Sequence, residues 1–152
     1  MNTTVELSKD GYLLSTDKQK LDTSLIHQYL SNETYWAPGV PLDVVQRSID
    51  NSVCFGIYHN GIQVGFARVV TDKATFAYLA DVFVLPAHRG KGLSKWMVSF
   101  IHDHPELQGL RRWLLGTRDA HGLYRQFGWT DIPAELAQRF MQIHNPDVYR
   151  KG

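Results

Sequence analysis

The chain has 152 residues and a formal net charge of +1 with neutral histidines. That length suffices for one domain with a core of its own, and the near-neutral balance argues against a protein that coats nucleic acid. The single cysteine, Cys54, has no partner for an internal disulfide, which fits a reducing compartment.

The N-terminal stretch "MNTTVELSKDGYLL" lacks the charged-then-apolar layout of a signal peptide. No apolar run approaches the roughly 20 residues of a membrane span. A cytoplasmic protein is therefore expected, with neither a membrane nor a nucleic acid as partner. No repeat or low-complexity stretch interrupts the chain, so residues 1–152 are expected to form a single domain.

In chain order, "YLLST" (12–16) reads as a first short strand. Asp22 or Thr23 then caps a helix that carries Leu25, Ile26, Tyr29 and Leu30 at helical spacing. "NETYWAPGVP" breaks that helix with two prolines and a glycine, and "LDVVQRSIDNS" reads as a second helix. Three runs rich in β-branched and aromatic residues follow: "SVCFGIYH", "GIQVGFARVV" and "ATFAYLADVFVL". Asn60-Gly61 between the first two is a strong hairpin signal. Cys54, inside the first run, reads as a core thiol.

Pro86 ends the third run, because it has no N–H to give to a ladder. Leu93, Trp96, Met97, Phe100 and Ile101 then form one helical stripe. "RRWLLGT" reads as a strand, and "DAHGLYRQFGW" as a short helix closed at Gly128. A last strand is expected at 140–143. The pattern is α/β (α+β), a mixed sheet with helices on its faces.

The stretch between strand and helix, Arg89-Gly90-Lys91-Gly92-Leu93-Ser94, raises a chemical question. Its glycines permit unusual backbone angles and close approach of a ligand to the main chain. A helix start offers unpaired N–H groups and a positive dipole end, which suit a phosphate or pyrophosphate. A plain strand-to-helix turn with solvated charges fits these residues equally well. A Walker-type loop does not: Leu85 stands where its first glycine belongs, and Gly92 where Ser or Thr should follow Gly90-Lys91. Nor does a dinucleotide fingerprint, whose third glycine falls on Lys95.

These six residues resemble the pyrophosphate-binding signature R/Q-x-x-G-x-G/A of the GCN5-related N-acetyltransferase (GNAT) family. Ser94 departs from the Gly or Ala at its last place. "LYRQFGW" is similar to a second element of that family, with Tyr124 four residues before Gly128 and Trp129 next. The resemblance implies a central mixed, mostly antiparallel twisted sheet of about six or seven strands with about four helices around it. It implies acetyl-CoA as co-substrate and an amine as acceptor. The pantetheine arm would run beside the backbone at Phe83, Val84 and Leu85. The pyrophosphate would take the amides of Arg89, Gly90, Lys91, Gly92, Leu93 and Ser94. Tyr124 would protonate the leaving thiolate, for which a phenol of pKa about 10 is suited.

A base for the ammonium proton is less determined. Asp81, a carboxylate within an apolar strand, needs a partner or a role. His121 would share a helical face with Tyr124, and water is a third choice. Glu33, Tyr35 and Trp36 in the broken segment suit a cationic, partly apolar amine, or else staple that loop to the core. His102 and His104 do not share a helical face, so no metal is expected. The expected activity is acetyl transfer to a primary amine, most simply of a small molecule. A protein or peptide acceptor, and a non-catalytic acyl-CoA-binding sensor on the same fold, are the alternatives. Either a monomer or a homodimer is compatible with the sequence.

Overall fold

The computed structural model describes residues 4–150. Their contacts cluster into two units, one ending at Gly116 and one beginning at Thr117. The first holds a six-stranded mixed sheet with its strands in chain order: β1 (Glu6–Lys9), β2 (Tyr12–Ser15), β3 (Val53–His59), β4 (Ile62–Thr71), β5 (Phe76–Val84) and β6 (Arg112–Leu114). Neighbours from β1 to β5 are antiparallel, and β6 runs parallel to β5. Helices α1 (Thr23–Glu33) and α2 (Leu42–Asp50) lie between β2 and β3, and α3 (Leu93–His102) between β5 and β6. The second unit carries the short helices α4 (His121–Arg125) and α5 (Ala134–Ala137).

Local chemistry explains the meander. Asn60 and Gly61 both take positive φ, 51° and 78°, the pairing a tight two-residue hairpin needs to match strand twist. Asp10 and Gly11 do the same at 52° and 84°, which adds β1 ahead of the expected first strand. Its residues are all exposed, so no hydrophobic alternation announces it. Helix α1 is capped by Asp22, whose Oδ1 accepts from the Leu25 amide at 3.0 Å.

The two sheet faces follow from strand alternation. Phe55 packs edge-on against Phe100 of α3 at 6.0 Å between ring centroids. Cys54, its neighbour, points the other way, its Sγ 3.6 Å from the Ile49 carbonyl of α2. Burial pushes that thiol up to about 11, so it stays protonated in the core, as a packing residue should.

Residues 140–143 form no strand: Met141 and Ile143 are fully exposed, and Phe140 is half-exposed. Apolar spacing suggests a strand, but a strand exists only where another backbone completes its ladder, and none among the described residues does.

His104, just after α3, is only 2% exposed. Its Nδ1 accepts the Glu106 amide at 3.0 Å, and its ring sits edge-on to Phe55 at 5.7 Å. Burial lowers its pKa, against the opposing pull of Glu106 and with a small push from Lys73. The unfolded chain therefore binds this proton more readily, so stability falls as pH drops below the unfolded value of about 6.5. His104→Asn keeps an acceptor for the Glu106 amide but cannot titrate. Urea midpoints measured from pH 7.5 to 5.5 should fall less steeply for the variant. Equal slopes would remove His104 from the acid response.

Candidate active site

The site begins at a fault in the sheet. Arg68 pairs with Ala80 and Phe66 with Phe83, so Asp81 and Val82 together stand opposite Ala67. This is a β-bulge, the device that re-aims strands beside active sites. Asp81 takes φ of 56°, a left-handed angle that aspartate tolerates better than most residues. Leu79 and Phe83 would share a face in a regular strand, yet they pair with Val69 and Phe66, which stand three residues apart on opposite faces of β4. The bulge thus turns Phe83 toward α1, where its ring stacks on Tyr29 at 4.0 Å.

Beyond the bulge, the Leu85 amide donates to the Val64 carbonyl at 2.8 Å. Backbone amides alternate sides along a strand, so the Val84 amide faces away from β4. The β5·β6 ladder ends at Tyr78 and Leu114, and no other described strand pairs with that edge of β5. The sequence expectation of an arm lying along Phe83, Val84 and Leu85 is narrowed accordingly. The Leu85 amide is committed to Val64, and Phe83 is paired with Phe66 in the β4–β5 ladder, which leaves Val84 as the donor on the open edge.

The chain then makes a tight turn (Pro86–His88) and enters α3. Gly90 and Gly92 have φ of 78° and 75°, and a Cβ added to either would meet nothing within 4 Å. Their glycine character therefore answers to backbone angle, and the space beside them is open to a ligand. No side chain caps α3. Its first main-chain bond runs from the Trp96 amide to the Gly92 carbonyl at 3.0 Å, so the amides of Leu93, Ser94 and Lys95 start the helix without intrahelical acceptors. Lys91 and Lys95 are exposed, Ser94 is half-buried, and the Leu93 side chain is buried. These features fit a pyrophosphate: open amides, a positive helix end and exposed cations nearby. Arg89 behaves differently. Its Nε donates to the Val84 carbonyl at 2.9 Å and a terminal nitrogen donates to the Tyr29 hydroxyl at 2.8 Å.

On the α1 side, Asp81 is engaged through both oxygens. Arg68 Nε donates to one at 2.8 Å, and Trp36 Nε1 to the other at 2.9 Å. Arg68 also donates to Ser52 Oγ at 3.1 Å. Each oxygen retains a second lone pair, so Asp81 can hold both partners in a positioning role and still accept a proton. Tyr35 and Trp36 meet edge to face at 5.0 Å, each about half exposed. Their loop is tied down: Gly39 donates to the Ser31 carbonyl at 3.1 Å, and His27 Nε2 lies 3.0 Å from the Val40 carbonyl. Glu33 is exposed at the end of α1.

Tyr124 and His121 belong to the second unit, both on α4. Tyr124 is buried, with its ring 5.8 Å from Trp129. The turn closes at Gly128, φ 89°, and Trp129 donates back to the Tyr124 carbonyl at 3.3 Å. The structure thus joins Trp36 to Asp81, and Arg89 to Val84, through direct hydrogen bonds. Arg68 and Tyr29, which complete these links, were not foreseen. Arg68 carries a signal in "GFARVV": a charge within an apolar strand, as conspicuous as Asp81 itself.

An open mixed sheet with a strand leading into a glycine-flanked helix start is the arrangement that the sequence resemblance implied. A family model described as an acetyltransferase (GNAT) domain matches residues 50–131, and the chain belongs to that family of acyltransferases. A protein of Gibberella zeae named as an acetyltransferase is 35% identical over 139 residues, covering 77% of this chain and 77% of its own. A crystal structure of a GNAT-family protein from Xanthomonas campestris pv. campestris is 51% identical, with a TM-score of 0.89 over 95% of this chain and 100% of that one. A GNAT acetyltransferase of Elizabethkingia anophelis, solved with acetyl-CoA bound, shares the fold at a TM-score of 0.56 and 10% identity, over 78% of this chain and 76% of that one.

Proposed function

We propose that the whole chain acts as one acetyltransferase domain that moves an acetyl group from acetyl-CoA to the primary amine of a small molecule. The observation that carries this reading is the uncapped start of α3, framed by the left-handed Gly90 and Gly92, directly after the bulged strand. Those amides, with Lys91, take the pyrophosphate. The Val84 amide, on the open edge of β5, would donate to the thioester oxygen and stabilise the charge that develops there. Tyr124 protonates the departing thiolate. Trp36 and Tyr35, backed by Glu33, offer an ammonium two half-open ring faces beside a carboxylate. Asp81 holds Trp36 in place, and water carries off the amine proton. Two half-exposed rings on a tethered loop form a compact wall, which favours a small acceptor over a long peptide.

Two measurements test the reading. Thiol release from acetyl-CoA should appear with at least one member of a panel of small primary amines, and a panel in which only peptides respond would overturn the acceptor class. Acetyl-CoA at about a hundred times its Kd should raise the wild-type Tm by roughly 5–10 °C. Gly92→Glu, which puts bulk and negative charge at the helix start, should abolish that rise. Gly92→Ala carries the same backbone strain without the charge and serves as its folding control. Equal shifts in wild type and Gly92→Glu would move the cofactor site elsewhere.

A further inference from the structure

The loop from Leu85 to Gly92 is tethered from two sides by tyrosine hydroxyls that lie far away in sequence. Arg89 reaches Tyr29 of α1, as described. One residue earlier, His88 Nδ1 and the Tyr12 hydroxyl of β2 share a hydrogen bond of 2.8 Å. Tyr12 is only 7% exposed, so its hydroxyl is held on a rigid strand. His59, its cross-strand partner on β3, packs against both rings, 4.8 Å from Tyr12 and 5.4 Å from His88 between centroids. The Tyr12 and His88 rings meet edge to face. Three rings from two strands and one loop thus form a closed cluster at the base of the turn that feeds Gly90 and Gly92.

We propose that Tyr12 and His88 form a latch that positions the pyrophosphate loop, an inference that rests on that loop being the acetyl-CoA site. A loop with two glycines has many conformations to lose when it binds an anion. Holding His88 against β2 removes part of that freedom before the ligand arrives, so the gain is read in cofactor affinity. The latch touches neither the acceptor nor the reacting atoms. Its residues are positioning residues.

Tyr12→Phe keeps the buried ring and removes only the hydroxyl. The expected result is a rise of about three- to tenfold in both the Kd for acetyl-CoA by calorimetry and its KM, with kcat within twofold and Tm lowered by no more than about 5 °C. His88→Phe, which keeps a ring against Tyr12 and His59 but has no nitrogen, should give a similar rise, and the double variant should add nothing further, because both singles break one interaction. Gly92→Glu is measured in parallel. If Gly92→Glu loses acetyl-CoA and Tyr12→Phe binds it as wild type does, the latch is wrong and the cofactor site stands. If Gly92→Glu binds normally, the loop is not the cofactor site and the latch falls with it. A loss of kcat with unchanged KM, or additive effects in the double variant, would also overturn the latch.

Discussion

Replacing Tyr124 by phenylalanine should lower kcat about a hundredfold at saturating acetyl-CoA, with little change in the acetyl-CoA KM. In its proposed role the hydroxyl acts on charge that appears only as the thiolate leaves, so its loss would belong to the transition state and not to binding. Loss of one general acid typically costs about 10²–10⁴-fold. The low end is expected, because a thiolate of pKa about 8.5 departs tolerably even unprotonated. Phenylalanine keeps the ring that packs near Trp129, so the variant should fold. Rates are measured with an active acceptor once chemistry is known to limit turnover. Undiminished kcat would remove Tyr124 from the mechanism.

Asp81→Ala should be the most destabilising single change at the site. The Asp81 and Arg68 side chains are 10% and 18% exposed, so deleting the carboxylate strands a largely desolvated guanidinium. Breaking such a pair from one side costs about 3–5 kcal/mol. Arg68 keeps its bond to Ser52, which places the expected loss near the low end, at about 3 kcal/mol. Alanine also sits less readily than aspartate at a left-handed φ. Urea unfolding measures the loss, and a value below about 1 kcal/mol, the range of exposed pairs, would show the pair to be effectively solvated. Asp81→Asn separates the remaining roles. It can still accept from Trp36 and tolerates the backbone angle, so a positioning role predicts an acceptor KM and a kcat that are both largely kept. A collapse of kcat with loss of the acidic limb of the pH profile would instead make Asp81 the base.

Much of the loop proposed for the cofactor was legible because its signals are local. Gly90 and Gly92 are needed for backbone angles at their own positions, and the stripe from Leu93 to Ile101 specifies a helix that must start beside them. The same holds for Asn60-Gly61, whose turn sets the β3–β4 hairpin. The hairpin through Asp10-Gly11 carried an equal turn signal but lacked an apolar strand before it. The half proposed for the acceptor was legible only as a collection of residue types. Glu33, Tyr35 and Trp36 advertise an amine-friendly loop, yet nothing near them in sequence names Asp81 as the anchor of the indole.

By itself the sequence determined the family, the hairpins, the amphipathic α3 and the glycine-framed helix start, since each depends on spacing within a few residues. Tertiary structure alone decided what those parts touch. The bulge at Asp81 depends on how β4 and β5 slide past each other, and it chooses the face on which Phe83 meets Tyr29. The links from Arg68 to Asp81, Trp36 to Asp81, Arg89 to Tyr29 and His88 to Tyr12 join residues 13, 45, 60 and 76 positions apart. Hydrogen bonds over such separations form only after the sheet has set its register. The apolar run at 140–143 makes the converse point: its pattern suits a strand, but with no ladder partner among the described residues its backbone stays irregular.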